Sequence, residues 1–178
     1  MEKIKLNTPL KIKEIDFRIQ SINKGGFATI LAYKDARADM QRLDDVVGHL
    51  NWKREHTRDN RNCIVSIWCD VKKVWVSKED TGTESNTEQA KGLASDSFKR
   101  ACFNWGIGRE LYDYPLIQVK LNSDEFEVKD GRVKQTWNLK LRDWIWFSQF
   151  TEGVITYLAA KDEKGNKRFA WGEYKSDK

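Results

Sequence analysis

The sequence is poor in the residues that staple, ligate or anchor a protein. Only three cysteines occur, Cys63, Cys69 and Cys102, an odd number without framework spacing, which argues against a disulfide scaffold and for free thiols in a reducing cytosol. The two histidines, His49 and His56, pair neither with each other nor with the cysteines at zinc-ligand spacing, so no metal site is assigned. No run approaches the roughly 18 apolar residues that a spanning helix needs, and nothing near Met1 reads as an apolar leader. Ser-His-Asp and Cys-His arrangements with a local signature are missing, leaving little for covalent catalysis. No internal repeat or low-complexity tract is present.

What is there is charge and aromatic surface. The 178 residues fit one compact domain, long enough to bury roughly 70% of the unfolded surface. Thirty-two Lys and Arg against 27 Asp and Glu leave a net charge of +5 and a pI near 9.0, which favours a polyanionic partner. Eight Trp, eight Phe and five Tyr supply core volume and could also offer stacking faces to unpaired bases.

Along the chain, "EIDFRIQSINKGGFATILAY" reads as two extended pieces around a Gly25-Gly26 turn. Tyr33, Ala36, Met40, Leu43 and Val47 recur at spacings of three and four, predicting an amphipathic helix over 33–47 that stops at Gly48, with Arg37 beside Tyr33 at the border of its apolar stripe. "NWKREH", "RNCIVSIWCDV" and "VWVSKEDTG" predict a three-stranded antiparallel meander over 51–82, which needs a cover. That cover is a helix opened by a Ser85/Glu88 capping box, packing through Ala90, Leu93, Ala94, Ser97, Ala101, Cys102 and Trp105 and ending at Gly106. After Pro115 the pattern is strands, turned at Asp130-Gly131 and Lys164-Gly165-Asn166.

Three motifs carry candidate chemistry. "GIG" at 106–108 follows a helix and lacks a Gly-Lys-Ser/Thr completion, so it reads as a helix stop. "EVK" at Glu127–Lys129, with Asp113 as a distant second carboxylate, has the residue types of a metal-dependent nuclease, but the following Asp130-Gly131 favours a hairpin strand. Lys99 and Arg100 sit in the most apolar half of the second helix. They are either a snorkelling pair beside a core stripe or the rim of a phosphate-gripping groove with Arg37 as third contact, and residue physics leaves the two readings level.

The blocks "YKDARADMQRLDDVVGHLNW", "EDTG" and "KGLASDSFKRACFNWGIGRELYD", in this order and spacing, resemble the ring-forming single-strand annealing proteins of the Rad-fifty-two superfamily, especially the small bacteriophage recombinases. The resemblance covers roughly 33–113, with a looser likeness after Pro115. It implies an α+β fold: a β-β-β-α core over about 33–113, whose long helix packs on a curved antiparallel sheet, with a β-rich extension over about 116–174, the whole acting as a single annealing domain. It also implies a homo-oligomeric ring that binds single-stranded DNA through Arg37, Lys99 and Arg100. Lys72 and Lys73 occupy a hairpin turn that bears an outer, duplex-holding site in the family, although the acidic "TESNTE" at 83–88 departs from the basic pattern of eukaryotic members.

The expected function is therefore ATP-independent annealing of complementary strands in homologous recombination and DNA repair, without enzymatic catalysis, cofactor or metal, in the cytoplasm of a bacterial host. A phage exonuclease and a single-strand-binding protein are the further partners this picture implies. A non-annealing single-strand-binding module is the runner-up and a metal-dependent nuclease the third reading.

Overall fold

The computed structural model of the chain describes residues 5–83 and 89–176. The regular elements are β1 (Ile15–Ile22), β2 (Phe27–Lys34), α1 (Ala36–Val47), β3 (Trp52–Thr57), β4 (Asn62–Cys69), β5 (Val74–Thr81), α2 (Gln89–Asn104), β6 (Ile117–Lys120), β7 (Phe126–Lys129), β8 (Arg132–Gln135), β9 (Ile145–Thr151), β10 (Val154–Lys161) and β11 (Lys167–Gly172), with short 3₁₀ turns at Ile12–Glu14, Arg109–Asp113 and Leu141–Asp143. The fold is α+β, with a helix packed on an antiparallel sheet. The chain groups into two compact units. One joins the residues up to Leu10 with Lys34–Arg109, and the other joins Lys11–Tyr33 with Glu110–Lys178.

The first unit is built on the meander β3-β4-β5. Its register pairs Arg54 with Val65 and Val65 with Lys78, and likewise Trp52 with Ile67 and Ile67 with Val76. Residues directly opposite share a face, so Cys63, Val65 and Ile67 present one apolar column, and Phe98, Ala101 and Cys102 of α2 close over it. α1 adds Leu43, Met40 and Val47 to this core.

α1 begins three residues later than periodicity predicts. Asp35, extended at φ −77°, ψ 149°, accepts a hydrogen bond from the Arg37 amide and caps the helix, while Tyr33 and Lys34 still belong to β2. A cap residue must be non-helical, so Tyr33 follows the two-residue period of the strand although its spacing also satisfies the helical one. The predicted end holds: Gly48, at φ +88°, donates its amide to the Asp44 carbonyl, a conformation that side chains rarely tolerate. The predicted capping box at Ser85 and Glu88 lies outside the described residues.

The second unit is made of sheets. β1-β2-β6 and β11-β10-β9 enclose a core of Ile30, Ile117, Val119, Trp144, Trp146, Leu158 and their neighbours. Phe17 stacks on Trp146 with centroids 3.7 Å apart. β7 and β8 form a separate hairpin turned at Asp130 and Gly131, both at positive φ. "EVK" is thus a hairpin strand, and Glu127, Val128 and Lys129 are all exposed.

Candidate nucleic-acid interface

α2 is the candidate element because its packing leaves two cations on its margins. Leu93, Ser97, Phe98, Ala101 and Cys102 are buried, a set recurring at three and four residues along one side. Phe98 was missing from the sequence-derived stripe, yet it is fully buried and stacks near Trp52 at 6.2 Å. Its ring joins Val65, Ala101 and Cys102 in the core beneath α2. The helix approaches the sheet so closely that a Cβ on Gly82, just past β5, would come within 2.8 Å of the Ser97 amide nitrogen; only glycine fits there.

At 100° per residue, Lys99 and Arg100 leave this buried side in different directions, and both are half-buried. Arg100 donates to Asp96 at 3.1 Å. Asp96 also accepts from the Thr83 amide at 2.8 Å, so despite the desolvation that raises it, its carboxyl is held below the ordinary range by Thr83 and Arg100. Lys99 acts on the opposite neighbour, its charge pulling down the carboxyl of Asp39 in α1. Asp39 is nonetheless pushed up to about 7 by burial, against the pull of Lys34, which donates to it at 2.5 Å and also to the Ile107 carbonyl at 2.6 Å.

Arg37 stands two residues before Asp39, in the first turn of α1, with its side chain 90% exposed and only a 4.0 Å approach to Asp35. A cation at a helix N-terminus opposes the helix dipole, so helix stability does not explain it. Lys72 and Lys73 lie in the exposed β4–β5 turn; Lys73, at φ +53°, reaches Asp70 at 3.5 Å. Arg37 thus stands on α1 and Lys99 on α2, whereas Lys72 and Lys73 belong to the hairpin tip.

The structure adds cations that sequence reasoning missed. The row Arg54–Val65–Lys78 flanks the buried Val65 with one charge on each side. Arg54 lies over the Phe98 ring at 4.7 Å, and Lys78 over Trp105 at 4.6 Å while donating to the Asn104 carbonyl at 2.7 Å. The signal was present in "NWKREH", where Trp52, Arg54 and His56 alternate onto one face. On the other face Lys53 covers Trp75 at 4.7 Å, and Trp75 meets Trp68 edge-on at 5.6 Å.

Chemically, this arrangement offers positive charge. It presents cations on aromatic and aliphatic supports, and among the described residues no group of three His, Cys, Asp or Glu could hold a metal ion. Cys102 and Cys63 are buried, and burial raises both thiols, Cys63 to about 11, which removes them as nucleophiles. No helix among the described residues is long and apolar enough to cross a membrane.

Compared with known proteins, the chain matches no protein-family model and no solved structure. It is 36% identical over 90 residues to the single-stranded DNA-binding protein DdrA of Deinococcus radiodurans, covering 49% of this chain and 43% of that one. It is 34% identical over 102 residues to the protein of the same name from Deinococcus deserti, covering 56% of this chain and 50% of the other. The chain thus spans about half the length of the curated relatives it matches.

Proposed function

We propose that the chain binds single-stranded DNA through the α1–α2 surface and anneals complementary strands, as a ring-forming recombination and repair protein of the Rad-fifty-two type. The observation that carries the reading is the margin of α2: Lys99 and Arg100 held half-buried on a helix packed against its sheet, with Arg37 on the adjoining α1 and Arg54 and Lys78 on either side of Val65 in the sheet below. The name printed for both Deinococcus relatives supports the single-strand part.

The mechanism is electrostatic. Each cation that neutralises a phosphate releases a counterion and contributes about −0.7 to the slope of log K against log salt. A strand gripped by its backbone keeps its base edges free, and neutralising the phosphates lowers the repulsion felt by a second strand. Pairing then supplies roughly 1.4 kcal/mol per step without nucleotide hydrolysis. Ring closure would remove the open edges of β3 and β5, which are otherwise a liability. In this reading Lys72 and Lys73 contact the annealed duplex at the hairpin tip, and the bacteriophage branch, the bacterial cytoplasm and phage nuclease partners follow as parts of the same proposal.

The test mixes complementary oligonucleotides with the chain, without ATP and with EDTA, and follows duplex formation together with light scattering. Accelerated annealing by a large oligomer is expected. Tight binding that protects strands without annealing them would leave the plain binding module standing, and a monomer with and without DNA would remove the ring.

A further inference from the structure

The second unit contains a groove that the α1–α2 surface does not use. It has a volume of about 730 Å³, lined by residues 17–22 of β1 and by residues 133–137 and 139–143. Four of its side chains are cationic, Arg18, Lys134, Lys140 and Arg142, against the single carboxylate Asp143. An adjoining cavity shares Arg18 and Arg142 and adds Lys13, with Asp16 as its only acid. In the loop after β8, Trp137 is 92% exposed. Trp137 thus offers an open indole face in the lining of a groove that also holds four cations.

Two occupants fit a cationic groove between strands: an acidic peptide added to a strand edge, or a nucleic acid. β1 is at the edge of its sheet and β8 pairs only with β7 among the described residues. Both edges carry charge, Arg18 on one and Lys134 on the other, the device by which edge strands resist strand addition. Arg18 is in addition drawn onto the Tyr33 ring at 5.2 Å. A flat aromatic face among spaced cations is what a sequence-tolerant single strand requires: stacking for a base and charge for its phosphates.

We propose that this groove binds a stretch of single-stranded nucleic acid, its phosphates on Arg18, Lys134, Lys140 and Arg142 and one base stacked on Trp137. The inference rests on the single-strand reading above but borrows no residue from the first unit. It gives the chain two contacts for single strands, and the extended surface of the second unit a function.

The test is photocrosslinking of the full chain to an oligo(dT) carrying 5-iododeoxyuridine, with mapping of the joined peptide and measurement of affinity against salt. The crosslink should fall on the tryptic peptide 135–140. Trp137→Ala should weaken binding about 5- to 150-fold, the loss expected for one base stack, with Trp137→Phe retaining most of the affinity. Arg18→Ala and Lys140→Ala should each lower the salt slope by about 0.7. Because Trp137 is exposed, its replacement leaves the fold intact, which circular dichroism checks. If Trp137→Ala binds like the wild type while the triple change at Arg37, Lys99 and Arg100 loses affinity, the groove is overturned and the primary reading survives. If the wild-type chain binds no oligonucleotide, both fail. A Trp137-dependent signal from poly-glutamate, with none from oligo(dT), would give the groove to an acidic protein partner and also overturn the proposal.

Discussion

Each unit buries an ion pair, and the two pairs behave in opposite ways. In the first unit Lys34 and Asp39 are almost wholly enclosed, with side-chain exposures of 1% and 0%, but the second Asp39 oxygen finds no hydrogen-bond partner among the described residues. Burial therefore prevails and the carboxyl rises to about 7. In the second unit Arg168 forks onto Glu125 at 2.8 and 2.7 Å, approaches Asp162 at 3.6 Å and lies over Trp144 at 4.4 Å. Glu125 also accepts from the Asn122 amide at 2.6 Å, so although desolvation opposes it, the carboxyl is held below its ordinary value. The difference teaches that an enclosed carboxylate stays ionised where hydrogen bonds to its charged form outweigh desolvation, as they do at Glu125 and do not at the more deeply buried Asp39.

The largest effect should come from breaking the satisfied pair. Arg168→Ala leaves Glu125 enclosed without its fork and should cost about 3–5 kcal/mol, read by denaturant unfolding, with loss of amide-exchange protection in β10 and β11. Phe98→Ala should cost a similar amount in the first unit, about 3–5 kcal/mol, through a cavity under α2.

The pH dependence sharpens the contrast because the two carboxyls carry opposite signs. Asp39 is raised from 3.8 to about 7, so between those values the folded chain holds a proton that the unfolded chain has lost. Its stability contribution is complete below 3.8 and declines as pH rises to about 7, by a few kcal/mol at about 1.4 kcal/mol per pK unit. Glu125 is lowered from 4.5, so its contribution is present above 4.5 and disappears as acid takes the pH down through the folded value. Unfolding free energies measured from pH 3 to 8 should lose the first slope in Asp39→Asn and the second in Glu125→Gln. A slope unchanged in either variant would break the comparison.

Smaller effects belong to the surface cations. Lys99→Ala and Arg37→Ala should weaken single-strand binding about tenfold or less and flatten the salt slope by about 0.7 each, with stability within about 0.5 kcal/mol of wild type. Arg100→Ala should do the same but also release Asp96, raising that carboxyl toward its ordinary value, which NMR titration would detect. Lys72→Ala and Lys73→Ala should change oligonucleotide affinity least, since both lie on the exposed hairpin tip.

Much of the architecture was legible because it is local. The meander's three strands, the hairpin at Asp130-Gly131 and the helix stops at Gly48 and Gly106 each follow from patterns within a dozen residues. Tyr33 shows the limit, since its spacing satisfied a helix while Asp35 capped the chain two residues later. Phe98 shows another: a stripe read through Leu93, Ser97, Ala101 and Trp105 passes over a ring that is fully buried. The candidate site was legible only in part. Lys99 and Arg100 drew attention by contrast with their apolar surroundings, whereas Arg54 and Lys78, in charged strands, became visible only once the register set them either side of Val65.

The sequence by itself determined the alternation of strands and helices, the turns, the net positive charge and the position of the cations on α2, because periodicity and turn chemistry act between neighbours. Tertiary structure alone decided that Lys34 would reach the Ile107 carbonyl 73 residues away, that Arg168 would fork onto Glu125 across 43 residues, and that Trp137 would stand beside a basic groove. Charges buried or gathered over such separations leave no local pattern. Their energies depend on desolvation and on hydrogen-bond geometry, which exist only once the chain has folded.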